Sequence, residues 1–299
     1  MATVFLNGKF VSADDARISA FDAGFQHGVG LFETMSARLE AGAARVFRIE
    51  DHLERLIGSA RELGLSESLR APALAEAVNA TVIESGLERA RVRLTISGGD
   101  LNMLARGSQH AGDPTVLIVA QPATEYPPEM FERGVMVSIA DLKLNPLDQM
   151  AGHKTLNYWG RLRELQLAAA KKAGEALVFQ VTNHLAGGCV SNAFLVKDGE
   201  LITPIARGEE ATGGVSMPSP VLPGITRGWV LEWAARRQIQ VRRQMVTIED
   251  VLKADELFLT NSSWGVLPVV GVEKHEVGGA DVGDLTREAR DAWEAEQDV

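Results

Sequence analysis

Gln121-Pro122-Ala123-Thr124-Glu125-Tyr126-Pro127-Pro128 divides this chain. Its prolines fix φ and remove backbone donors, which suits neither a helix nor a central strand, so the stretch reads as a connection between two domains. Before it, Asn7-Gly8 between two short apolar runs predicts a hairpin, and apolar residues at helical spacing predict helices over 49–63 and 72–84. Alternation over 91–96 and an apolar run over 116–119 predict strands. After it, strands are expected over 135–139, 176–181, 193–196 and 256–260, with helices over 156–172 and 227–238. Each half therefore mixes helices and strands. The expected organisation is a first α/β domain over 1–121, a connection over 122–133 and a larger second domain over 134–299.

Composition narrows the function classes. Thirty Lys and Arg against 40 Asp and Glu give a formal charge of -10, a field that repels phosphate backbones and anionic lipid. No apolar run approaches a membrane span, and the opening Met1-Ala2-Thr3-Val4-Phe5 lacks the basic start of a secretory leader, so a cytoplasmic protein is expected. The single cysteine, Cys189, excludes an intramolecular disulfide and a multi-thiolate metal site. No two of the six histidines are three or four residues apart, so no metal is expected. A Gly-x-Ser-x-Gly elbow is absent, and the glycines of Gly28-Val29-Gly30 lack the strand context of a dinucleotide fingerprint.

Eight separated segments carry a positive signal. They are Asn7-Gly8, Asp22-x-Gly24, Gly28-x-Gly30-x-Phe32-Glu33-Thr34, His52-Leu53-Glu54-Arg55-Leu56, Lys154-Thr155-Leu156-Asn157-Tyr158, Ser191-Asn192-Ala193-Phe194, Gly224-Ile225-Thr226-Arg227 and Thr260-Asn261-Ser262-Ser263. In this order and spacing they resemble the class IV aminotransferases, the fold type IV pyridoxal-phosphate enzymes that include branched-chain and D-amino acid aminotransferases and aminodeoxychorismate lyase. The resemblance implies a mixed α/β, two-domain architecture like that of D-amino acid aminotransferase, with pyridoxal 5′-phosphate between the domains, and a homodimer.

Read alone, Lys154 is a solvated lysine before a helix; the resemblance makes it the lysine that holds the cofactor as a Schiff base and then moves the substrate proton. Arg55, otherwise a helix charge, becomes the bidentate ligand of the cofactor phosphate. Ile225 and Thr226, which immediately precede a predicted helix, form either a plain cap or an anion site, and the two are compatible. Gly188, Asn261 and Ser262 are likewise assigned to the cofactor, and Tyr158 to its ring oxygen. Phe32, Thr34 and Arg106 fall in segments around the substrate, beside His27 and Arg93; the alternative for Arg106 is a solvated loop charge.

One departure stands out. Five residues before Asn192 the family carries a glutamate that keeps the pyridine nitrogen protonated, and here that position is Gly187. Glu175 and Asp198 are the nearest acids in sequence and would need an irregular path to it, while Glu209 and Glu210 lie in a stretch that could fold back. The function the resemblance implies is transfer of an amino group between an amino acid, branched-chain or otherwise apolar, and a 2-oxo acid. Two alternatives stay open: a lyase that releases pyruvate, and a catalytically attenuated, cofactor-binding homologue.

Overall fold

A computed structural model describes residues 3–100, 113–210 and 217–298. Contacts divide the chain into two compact units, Met1–Thr124 with His153–Asn157, and Glu125–Gly152 with Tyr158–Val299. Arg106 lies outside the described residues.

The first unit runs β1 (Thr3–Leu6), β2 (Lys9–Ser12), α1 (Ala23–His27), β3 (Gly30–Glu40), β4 (Ala43–Val46), α2 (Ile49–Glu62), α3 (Ala71–Ser85), β5 (Arg89–Ser97) and β6 (Thr115–Pro122). Its strands form one antiparallel sheet in the order β2-β1-β6-β5-β3-β4. Asn7 and Gly8 both take positive φ, as the predicted hairpin requires. The apolar stripe of α2, Leu53, Leu56, Ile57 and Ala60, packs with Val78 and Val82 of α3 onto Leu31, Met35, Val92, Leu94 and Ile96. Full burial of each such large side chain contributes roughly 1.5–3 kcal/mol.

The second unit runs α4 (Glu129–Glu132), β7 (Val135–Leu144), α5 (Trp159–Ala170), β8 (Glu175–Gln180), β9 (Leu185–Gly188), β10 (Asn192–Lys197), β11 (Glu200–Pro204), α6 (Ile225–Arg236), β12 (Val241–Gln244), α7 (Ile248–Leu252), β13 (Glu256–Asn261), β14 (Gly265–Val272), β15 (His275–Glu276) and α8 (Asp284–Asp298). The sheet order is β12-β11-β10-β13-β14-β7-β8-β9, with β15 on β14. Both faces are covered, so β8 is buried along its whole length. Its Leu177 and Phe179 join Leu195, Leu257 and Leu259 on one side, while Ala176 and Val178 meet Ala168 of α5 and Cys189 on the other.

Three features depart from the sequence reading. The helix expected over 156–172 begins only at Trp159, because the residues before it are held as extended chain. Lys154, expected within 134–299, clusters with the first unit. Residues 129–132 of the expected connection form the short α4.

Candidate active site

Lys154 reaches the edge of β3. The Phe32 N–H donates to the Lys154 carbonyl at 3.0 Å, the Leu156 N–H donates to the Gly30 carbonyl at 2.9 Å, and Thr155 bridges to Leu31. This approach requires a glycine at position 30, where a Cβ would lie 2.6 Å from Leu156 Cδ1 and 2.5 Å from the Ile96 carbonyl oxygen. Strand alternation sends Lys154 to the face of Phe32, with its Nζ 4.5 Å from the ring centroid. The Arg93 guanidinium carbon lies 3.7 Å from the same centroid, and its Nε donates to Thr95 Oγ1 at 3.3 Å. Two cations therefore share one buried aromatic ring. Thr34 stands directly across from Arg93 in the β3–β5 ladder.

Glu33 leaves β3 on the opposite face, towards α2. Its Oε1 accepts from Arg55 Nε at 2.9 Å, while Oε2 accepts from Arg55 NH2 at 2.5 Å and from His52 Nδ1 at 2.7 Å. Burial works to raise the Glu33 pKa, but the Arg55 charge and the His52 hydrogen bond outweigh it and hold the carboxyl at about 2. Burial pushes His52 below its ordinary value against the pull of Glu33, so the imidazole is neutral and Nδ1 carries its proton. Arg55, expected on a phosphate, thus has one side of its fork on Glu33.

In the second unit, α6 starts at Gly224 without a side-chain cap, so its first N–H groups face an uncapped end. The buried Thr226 Oγ1 has no hydrogen-bond partner, and neither has the buried Thr260 Oγ1. Thr260 stands directly across from Asn192 on β10, whose Oδ1 fills the space that a Cβ on Gly224 would need. Two orphaned hydroxyls and a bare helix start fit a phosphate group. Thr226→Val is therefore expected to keep or raise the melting temperature by removing an unpaired buried hydroxyl, while weakening binding of inorganic phosphate, read by calorimetry, about tenfold. Asn261 shapes its own turn: its Oδ1 accepts from the N–H groups of Ser263 at 2.8 Å and Trp264 at 3.0 Å. Ser262, in that turn, is half-buried.

Glu175 comes to the turn after β9 through the β8–β9 hairpin, whose register shifts between Val178 and Phe179. The Glu175 carboxylate accepts from the N–H groups of Ala176 at 3.0 Å, Cys189 at 3.3 Å and Val190 at 3.2 Å, and from Ser191 Oγ at 3.1 Å. Burial raises its pKa, and these bonds partly oppose the rise. Glu209 does not fold back to Gly187; it grips Arg227 through two 2.7 Å hydrogen bonds. Gly188 is buried in the same turn, and Tyr158 is the N-cap residue of α5.

In the sequence, Glu33 and Thr260 stand only inside their segments, and Glu175 and Arg161 have no assigned role. The available signal for Glu33 was an acid on a strand face otherwise occupied by Leu31 and Met35. For Thr260 no local signal existed, because its neighbour Asn192 is distant in sequence.

Residues 30–272 match the family described as amino-transferase class IV. A putative branched-chain-amino-acid aminotransferase of Methanocaldococcus jannaschii is 28% identical over 97% of this chain and 94% of that protein. The crystal structure of the Escherichia coli branched-chain amino acid aminotransferase superposes with a TM-score of 0.87 at 26% identity, covering 98% of this chain and 94% of that one. That of 4-amino-4-deoxychorismate lyase from Pseudomonas aeruginosa gives 0.79 at 26% identity, covering 99% and 100%.

Proposed function

The chain belongs to the class IV aminotransferase family, and from this premise we propose that it uses pyridoxal 5′-phosphate to move an amino group between an apolar, branched-chain-type amino acid and a 2-oxo acid. The observation that carries the reading is Lys154, held on the β3 edge with its Nζ over the Phe32 ring.

When bound, the cofactor supplies an electron sink for the bonds at the substrate α-carbon. Lys154 would hold it, and its free Nζ would take and return the α-carbon proton. Arg55, the α6 start with Ile225 and Thr226, and the Asn261–Ser262 turn hold the phosphate, joined by Thr260. Gly188 would border the bound ring, and Tyr158 would serve as donor to its ring oxygen. Phe32 offers apolar surface to the substrate side chain, with Thr34 beside it, and Arg93 offers a planar fork for the substrate carboxylate. Arg106 belongs to the same proposal as a carboxylate ligand. A homodimer is part of it too, supported by the exposed aromatic rings of Phe21, Phe25 and Trp159. So is the cytoplasm, supported by the lone, buried cysteine. Among the described residues no helix is long and apolar enough to cross a membrane.

The test is the absorbance spectrum of protein reconstituted with pyridoxal 5′-phosphate, before and after single L- and D-amino acids. The expected result is a Lys154-dependent visible band that apolar amino acids discharge and 2-oxo acids restore. The likeness to 4-amino-4-deoxychorismate lyase supports a second reading, lyase activity, which would appear as pyruvate formed without any amino acceptor.

A further inference from the structure

Building on that cofactor assignment, we propose that a guanidinium, that of Arg161, is the ionised group facing the pyridine nitrogen, and that it keeps this nitrogen unprotonated. Family resemblance assigns the ring-nitrogen side to position 187, which here is glycine. The turn has closed over the space a side chain would use. Gly187 has φ 143°, and a Cβ on it would lie 2.6 Å from the Ser191 carbonyl oxygen. A Cβ on Gly188 would meet Ser191 Oγ, and would lie 2.9 Å from Glu175 Cγ. Gly187→Glu therefore strains the turn and is a poor test of the missing acid.

Charges around this turn can be assigned one by one. Glu175 of β8 is fully buried, and its four donors fill the acceptor sites of a carboxylate. It also shares the face of Leu177 and Gly188, whereas Gly187 pairs with Val178 on the other face. The Cys189 thiol is pushed up to about 12 by burial and by Glu175, so it is uncharged. Glu164 of α5 is turned away, accepting from the Asp141 N–H at 3.0 Å and from Arg163 at 2.9 Å. Among the described residues the remaining charge at this turn is Arg161, in the first turn of α5. Its NH1 donates to the carbonyls of Gly188 at 3.3 Å and Cys189 at 3.1 Å, and its guanidinium carbon lies 5.8 Å from the centre of the Tyr158 ring.

A guanidinium keeps its proton and offers five donors, so it can donate to an unprotonated ring nitrogen but opposes a pyridinium by like-charge repulsion. The electron sink is weaker as a result, while phosphate and ring binding are unaffected. Carbanion-forming steps are slowed without loss of cofactor.

The experiment is NMR of the full chain reconstituted with cofactor labelled at the ring nitrogen, across the neutral pH range. The expected wild-type signal is that of unprotonated pyridine throughout. Arg161→Gln is expected to raise the proton affinity of the nitrogen at least about tenfold, Arg161→Glu to give the pyridinium signal at neutral pH, and Arg161→Lys to keep the wild-type signal. A pyridinium signal in the wild type overturns the proposal even if no variant folds. So do Gln and Glu variants that melt as wild type, retain the label and leave the signal unmoved. Failure of the underlying reading is distinct: the visible band of the bound cofactor would then be the same in Lys154→Ala.

Discussion

Lys154→Ala is expected to give a folded protein that binds pyridoxal 5′-phosphate without the covalent visible band and transaminates at least about 10³-fold more slowly. The folding half of this expectation follows from how the segment is held. Its two hydrogen bonds to β3 use backbone atoms of Lys154, Leu156, Phe32 and Gly30, none of which the substitution removes. What disappears is the side-chain amine over Phe32. The groups proposed to bind phosphate at α6 and at the turn after β13 are also untouched, so affinity for inorganic phosphate should stay within about twofold. Loss of the visible band with phosphate binding retained separates a chemical role for Lys154 from a structural one. An unchanged transamination rate would refute the assignment, and loss of phosphate binding would mean that the segment organises more than its own strand edge.

Local physics was legible in the sequence, and long-range pairing was not. Apolar spacing over 49–63 marked α2 to within a residue, because its stripe has helical period and its other face is charged. The start of α5 was misplaced because Leu156 has good helix propensity but pairs with Gly30, a tertiary contact that overrides it. The C-terminal α8 went unread: its buried positions, Thr286, Ala289 and Trp293, are sparse among charges. The site shows the same division. Segments whose backbone is set locally, such as Gly224-Ile225-Thr226 at the start of α6, could be recognised where they stand. Glu175 could not, since only the folded hairpin brings it to the turn after β9. Two of the recognised segments also prove to be one physical unit, because Glu33 of the first binds His52 and Arg55 of the second.

That unit leads to the second large effect. Glu33→Gln is expected to cost the protein about 3–5 kcal/mol, read as a lower denaturant midpoint, because it puts a neutral amide in place of the carboxylate that balances the Arg55 charge in a buried site. The same ion pair sets a pH dependence. Glu33 falls from 4.5 to about 2 on folding, so its contribution, about 3 kcal/mol, is complete above pH 4.5 and is lost as pH falls through 2. His52 acts earlier. Its folded pKa is depressed below 6.5, so the unfolded chain takes up a proton first and stability begins to fall as pH drops through 6.5. Glu33→Gln should therefore flatten the acid limb below pH 4.5 relative to wild type. The double variant Glu33→Gln with Arg55→Met should recover much of the lost stability, since it removes both charges, yet still bind phosphate weakly. A cofactor affinity equal to wild type in that double variant would assign Arg55 to structure alone. A loss confined to the variants that lack a correctly held guanidinium would make Glu33 the residue that positions Arg55 for the phosphate.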